Sequence, residues 1–491
     1  MSRRTDRFET AGVFTSILSA LIVSAASLGP PTAAPPVVDG AAIDAVVAQY
    51  REQTAVPGVA VAVTRGDTVV HTAGYGHTPD GDAVSEHTTM AAASLSKSFT
   101  ALAVVQLVEA GRVRLDDPVR AHLPEFTMAD PRAADITVRQ LLDQTSGLSD
   151  TTFRSFSGPA VHTLAEAVAA MRGSALAAAP GTRWEYHNPN FQVAARLVEV
   201  VVGVPFADYL RDHVFAPLGM DDSRTADTER DLPPSARGHV KVLGHPVALP
   251  EPPAFGNGSG GVLTSAHDLA AWLIAQNDGG RGPGGTSIAT PRSISATHTP
   301  SAVSESYGLG WFVGRTASGA LLIDHGGDLF TSTAYQALLP GSGHGIAVLA
   351  NTGLRHGDAQ AIGERLLALV EGREPPPVDD PSPVVDAVLL VLALVIGAPA
   401  WRGVARSRRW ADRRRSAPWT VARLLPLVLP LLLAVTVHRV VGFLYRGRDV
   451  AWRQVLYLYP TFMVVLAVAT LGGVAVLAAR LVALSRRRAA A

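Results

Sequence analysis

The spacing of apolar positions changes character several times along this chain. From Val56 to Gly76, "VPGVAVAVTRGDTVVHTAGYG", two β-branched runs flank Arg65-Gly66-Asp67, which predicts a β-hairpin. From Ser96 to Ala110, Leu164 to Met171, Phe191 to Val202, Phe206 to Val214 and Ala266 to Ala275, apolar residues recur every three and four positions, which predicts helices. Short strand-like runs then return at Tyr307 to Val313, Ala320 to Gly327, Thr333 to Pro340 and Gly345 to Gly353, separated by glycine or proline turns. A helical pattern, Asp358 to Val370, closes the region. Strands at both ends with helices between them imply an α+β domain whose N- and C-terminal strands share one antiparallel sheet.

The two ends of the chain follow a different pattern. A basic start, "MSRRTDRFET", precedes an uncharged stretch from Ala11 to Val38 with small residues near Ala26 and Ala34. Residues 1–35 therefore read as an export signal peptide or an uncleaved signal anchor. After the outward domain, 36–372, a proline-rich acidic linker, 373–383, leads into a membrane region, 384–491. Its three apolar runs, about 384–401, 421–437 and 455–479, predict membrane-spanning helices. The second carries Pro426 and Pro430, which a membrane helix tolerates better than a soluble one. The arginine-dense loop "WRGVARSRRWADRRRSAPW" and the tail "SRRR" belong in the cytoplasm by the positive-inside rule, which places Pro383 and the domain before it outside. Arg439, Arg446, Arg448 and Arg453, between the second and third runs, weaken that bias. The expected location is the cell membrane, multi-pass, with the large domain extracytoplasmic and the lipid bilayer as one partner.

Composition narrows the chemistry. The 491 residues carry 42 basic and 42 acidic side chains, a balance that offers no surface for nucleic acid, and the absence of cysteine excludes disulfides and thiolate chemistry. Only Lys97 and Lys241 are lysines; every other permanent cation is arginine. A guanidinium keeps its proton, whereas a desolvated ammonium can lose it, so a retained lysine is a candidate base. Ser94 stands three residues before Lys97 at the start of a helical pattern, which puts hydroxyl and amine on one face about a turn apart.

Several further segments occur in a fixed order around that pair: "ITVRQLLDQTSGL", "PGTRWEYHNPNFQVAARLVE", "FAPLGM", "GSGGVLTSAHDLAAWL", and "YGLGWFV" followed by "DHGGDLF". Together with "ASLSKSFTALAVVQLVEAGRVRLDDPV" they resemble the serine beta-lactamase-related family, which includes class C beta-lactamases, D-alanyl-D-alanine carboxypeptidases, and esterases and D-peptidases of the same penicillin-recognising fold. The resemblance spans nearly all of residues 40–370. It implies that Ser94 is the acylated nucleophile, Lys97 its proton partner and Tyr186 the relay to the leaving group. Asn188 and His325 would orient substrate, Gly327 would let substrate lie against a strand edge, and the backbone N–H groups of Ser94 and Asp328 would form the oxyanion hole. His187, at a position usually small in the family, and Asp328, a carboxylate beside that hole, depart from the pattern.

The expected function is a membrane-anchored serine hydrolase acting on amide or ester substrates such as cell-wall D-alanyl peptides or small esters. It needs no cofactor, and the sequence shows no metal-ligand spacing such as H-E-x-x-H. Two alternatives share the same motifs: a beta-lactamase, and a non-hydrolytic penicillin-binding sensor signalling through the membrane helices.

Overall fold

The computed structural model describes residues 38–413 and 416–489; the leader, 1–35, read as an export signal or anchor, lies outside them. The hairpin forms as expected, β1 (Gly58–Arg65) and β2 (Thr68–Gly76). Four C-terminal strands, β3 (Phe312–Arg315), β4 (Leu321–Asp328), β5 (Thr333–Leu339) and β6 (His344–Ala350), complete a six-stranded sheet. Its order is β2-β1-β6-β5-β4-β3, and every neighbouring pair is antiparallel. Val61 pairs with Val348, so the first and last strands of the domain meet at the centre of the sheet.

Both faces of β1 are covered, which explains its unbroken apolar run. Val59, Val61 and Val63 pack under α1 (Gly40–Thr54) and α5 (Asp358–Val370), with Ile43, Val47, Ile362 and Leu366. Ala60 and Ala62 face the opposite core, which holds Phe99 of α2 (Ser96–Glu109) and Trp272 of α4 (Ala266–Asn277). Phe99 and Trp272 stack with ring centres 3.9 Å apart. α3 (Pro189–Val202) packs in the same cluster.

The structure departs from expectation in several places. The Tyr307 to Val313 run is regular strand only from Phe312, because Gly310 turns the chain at φ +79° and sits where a Cβ would lie 2.7 Å from the Lys97 carbonyl. Helix α1, a three-stranded sheet of Met90–Ala91, Val262–Thr264 and Arg224–Thr225, and a hairpin of Gly238–Val242 with His245–Leu249 were not anticipated. The third apolar run begins its long helix at Pro460, because Val455–Leu458 forms a separate short helix.

Among the described residues, three helices are long and apolar enough to cross a membrane: α6 (Ser382–Ala405), α7 (Ala417–Leu444) and α8 (Pro460–Ala489). A 3-10 turn at Leu425–Val428, where Pro426 removes a helical donor, interrupts α7. The start of α6, the end of α7 and the start of α8 all lie against the αβ domain. Asp386, in the first turns of α6 and 0% exposed, accepts from Arg355 at 2.7 Å, the Leu243 amide at 2.8 Å and Thr461 at 2.7 Å. Phe330 and Leu354 pack into the apolar cluster at the tops of α7 and α8.

Candidate active site

Ser94 occupies a 3-10 turn, Ala93–Leu95, that runs directly into α2. Ala93 is held at φ +48°, a conformation that costs a non-glycine residue and persists only where its surroundings enforce it. Those surroundings are visible. Ser96 donates to the Ala93 carbonyl at 2.6 Å and accepts from the Val262 amide at 2.9 Å, while Thr100 donates to the Gly258 carbonyl at 2.6 Å. The polar residues of "SLSKSFT" are thus buried because they pin the turn, which is how an otherwise core helix presents one serine to a cleft.

Gly327 of β4 lies under this turn. A Cβ there would come 2.6 Å from the Ala92 carbonyl and 3.1 Å from the Ala93 Cβ, so the glycine admits the serine-bearing turn.

Lys97 is 0% exposed, and its Nζ lies 3.0 Å from Ser94 Oγ and 2.6 Å from the Ser259 carbonyl. Burial, and after it the charge of Arg448, push the amine well below its ordinary range, with Asp328 pulling weakly the other way. A neutral amine can donate one N–H to Ser259 and direct its lone pair at the Ser94 hydroxyl. The Tyr186 ring lies 4.9 Å from that amine, and burial holds its phenol above the usual range against the opposing influence of the Ser94 side chain. Asn188 begins α3, and its Oδ1 is buried with no hydrogen-bond partner among the described residues.

His325, on β4, is buried beside these groups. Its Nε2 lies 3.2 Å from the Tyr307 hydroxyl, its ring centre 6.2 Å from that of Tyr186, and burial followed by the charge of Lys97 lowers it to about 3, so it is a neutral imidazole. Asp328 reaches water at the strand end, yet the enclosing protein raises its carboxyl to about 6 against the pull of Arg448 and Lys97. Ser94, Lys97, Tyr186, His325, Gly327 and Asp328, expected at the site, therefore lie close together, with Asn188 two residues beyond Tyr186.

The sequence reading missed three members. Tyr307 is fully buried against His325 and Tyr186, and only the "YGLGW" segment hinted at it. Arg448 comes from the loop after α7. Its Nη1 donates to the Tyr186 carbonyl at 2.7 Å, its Nε lies 3.1 Å from Asp150, and its guanidinium sits 5.3 Å from the Tyr186 ring centre. Asp150 in turn lies 2.8 Å from the buried His187 Nδ1 and accepts from the Asp449 amide at 3.2 Å. Burial would raise the Asp150 carboxyl, but Arg448, His187 and that amide together hold it below its usual range. His187, the unusual residue beside Tyr186, belongs to the network that seats Arg448.

The Beta-lactamase family model matches residues 43–371. The chain belongs to the Beta-lactamase family. It is 30% identical over 355 residues to penicillin-binding protein 4 of Amycolatopsis lactamdurans, covering 68% of this chain and 92% of that one. It is 29% identical over 315 residues to protein flp of Staphylococcus aureus (strain MW2), covering 63% of this chain but only 62% of that relative's length. A solved octameric penicillin-binding protein homologue from Pyrococcus abyssi superposes with TM-score 0.58 at 27% identity, covering 69% of this chain and 78% of that one. A D-stereospecific amidohydrolase from Streptomyces sp., at 23% identity and TM-score 0.53, shares the fold. The Beta-lactamase match ends before the three apolar helices, so Arg448 lies outside it.

Away from the cleft, His87, Asp222 and His267 bring their ligand atoms within 4.8 Å of one another, and Ser265 donates to Asp222 at 2.9 Å. They are the described residues best placed to hold a metal ion, and they come from separate segments that no sequence spacing links.

Proposed function

We propose that this protein is a membrane-anchored serine hydrolase whose αβ domain faces the outer side of the membrane and cleaves an amide or ester, such as a D-alanyl peptide or a small ester, through an acyl-enzyme on Ser94. The observation that carries this reading is the desolvated Lys97 amine beside Ser94 Oγ. In the first step Ser94 Oγ bonds to the substrate carbonyl carbon as its proton passes to Lys97. The backbone N–H groups of Ser94 and Asp328 take the charge on the carbonyl oxygen. The C–N or C–O bond then breaks, and Tyr186 hands the leaving group a proton that Lys97 replaces. Water attacks the acyl-enzyme and releases the acid, restoring Ser94. Asn188, with its unpaired Oδ1, orients the substrate by accepting one of its N–H groups.

The orientation is supported by the helix ends. The αβ domain, the start of α6 and the loop after α7 lie together, while the loop after α6 and the C-terminal tail, both arginine-dense, lie at the other end of the helices. The arginines after α7 that weaken the charge bias have another use: Arg448 bonds Tyr186 and Asp150, and Arg453 donates to the Pro253 carbonyl at 3.2 Å.

The test uses the full chain in detergent, incubated with a penicillin beside a Ser94→Ala control, with intact mass and antibiotic consumption read together. A persistent adduct lost in the control marks a penicillin-binding peptidase; consumption without adduct marks a beta-lactamase. With neither, a chromogenic ester is the next substrate, and no Ser94-dependent product from any of them overturns the reading. Lys97→Arg replaces the base with a guanidinium that keeps its proton, and is expected to abolish turnover.

A further inference from the structure

Arg448 stands at the end of a membrane helix and in the catalytic cleft at once. Helix α7 ends at Leu444, and the chain stays wound beyond it: Tyr445 donates to Val441, Gly447 to Gly442, and the Arg448 amide to the Tyr445 carbonyl at 3.2 Å. Arg448 is therefore held at the helix terminus, no more than roughly 14 Å beyond Leu444 even if four residues were fully extended. From there its side chain reaches the carbonyl of Tyr186, whose ring lies 4.9 Å from the Lys97 amine beside Ser94.

The same end of the helices carries the aromatic residues that settle at the level of lipid headgroups. Phe443 is 81% exposed, Trp452 is exposed, and Tyr445, Tyr457 and Tyr459 follow within a few residues. The domain is fixed at this height on three sides: by Asp386 on Arg355, by Tyr457 donating to the Pro250 carbonyl at 2.9 Å, and by Asp449, which accepts from the Phe156 and Ser157 amides at 2.7 Å each. A domain free on a linker would not make these contacts.

We propose that the site takes its substrate from the bilayer surface: an amphiphile anchored in the outer leaflet, whose scissile ester or amide lies in or just above the headgroup layer. This rests on the hydrolase reading above and adds to it the location of the substrate. The cleft does not need to wait for a soluble molecule to diffuse in, because the reacting bond of a lipid-anchored one is already at the height of Ser94. Arg448 forms the wall of the cleft on the membrane side, so an anchored molecule reaches Ser94 past it.

The experiment places the full chain in vesicles of phosphatidylcholine and phosphatidylglycerol and offers one acyl ester in three forms: free in solution, tethered to a phospholipid by a short spacer, and tethered by a long one. The short spacer, of about 15 Å or less, cannot lift the ester far from the surface. Short- and long-spacer substrates are expected to be cleaved equally well, each at least ten times faster than the free ester at equal total concentration. Cleavage of the long-spacer form with the short one protected, or equal rates on the free ester, overturns the proposal while leaving the hydrolase reading intact. If no form is cleaved in a Ser94-dependent way, the hydrolase reading is the one that has failed. Height is then read without chemistry, because the chain has no cysteine. A fluorophore on Arg154→Cys, an exposed residue in the loop beside Asp150, is expected to be quenched by nitroxide-headgroup lipid, and its remaining bright overturns the interfacial placement.

Discussion

The guanidinium of Arg448 donates to the carbonyl of Tyr186 at 2.7 Å, tying the loop after the second apolar helix to a residue of the candidate active site. The positive charge of Arg448 disfavours a second positive charge on Lys97, and the carboxylate of Asp328 favours it. Arg448 therefore acts through Lys97 as a positioning residue.

The first prediction follows from those opposite signs. Lys97 must be neutral to take the Ser94 proton, so activity falls on the acid side as Lys97 becomes protonated. Arg448→Gln removes a charge that lowers the amine, and the acid limb of kcat/KM is expected to move to higher pH. Asp328→Asn removes a charge that raises it, and the limb is expected to move to lower pH. Arg448→Lys, which keeps the charge but not the two-donor geometry, should leave the limb near its original place. Shifts of Arg448→Gln and Asp328→Asn in the same direction would sink the assignment.

His325 is expected to stay neutral throughout. Burial lowers it to about 3, well under the range in which histidine usually titrates, between about pH 5 and 8. NMR of the labelled imidazole should show one unchanging neutral tautomer across that range. A titration within it would mean that water reaches the ring, contrary to its packing against Tyr307 and Phe312.

Gly327→Ala should damage the site from below. The added methyl would press on the Ala92 carbonyl, which is backbone and can yield only by moving the Ser94 turn. A displacement of about 1 Å can cost about 100-fold in rate, so a loss of that order in kcat is expected with the overall fold retained. Turnover within a few fold of wild type would show that the turn is softer than its hydrogen bonds suggest.

Asp386→Ala tests the seating of the domain on its helices. The substitution leaves Arg355, 14% exposed, without the carboxylate it meets at 2.7 Å, and it removes the acceptor for Leu243 and Thr461. Breaking a buried pair costs about 3–5 kcal/mol, and the residual exposure of Arg355 puts this one near the lower end. Protease cleavage in the linker at 373–381 should accelerate, and activity should fall with it as Arg448 leaves the cleft. Unchanged cleavage would show that the other contacts hold the domain alone.

What was legible in the sequence was whatever depends on neighbours along the chain. The hairpin around Gly66, the helix from Ser96, the closing helix Asp358–Val370 and the one-turn spacing of Ser94 and Lys97 are local consequences of period and turn chemistry. Tyr186, Asn188 and His325 were legible only through resemblance, since their own segments allow a plain turn and a core histidine. Even the scarcity of lysine was ambiguous. The second, Lys241, is also buried, but it meets Asp358 at 3.2 Å and Asp380 at 3.8 Å, and so serves as an ionic tie rather than a base.

Tertiary structure alone decided the rest, because those features are meetings of distant segments. Met90–Ala91 becomes a strand only when Val262–Thr264 arrives beside it. Tyr307 and Gly327 acquire their roles from what packs on them. Arg448 reads in sequence as one more charge in a short loop between two apolar runs. Its place in the cleft depends on where α7 ends and on Asp150, held by the buried His187, being there to receive it.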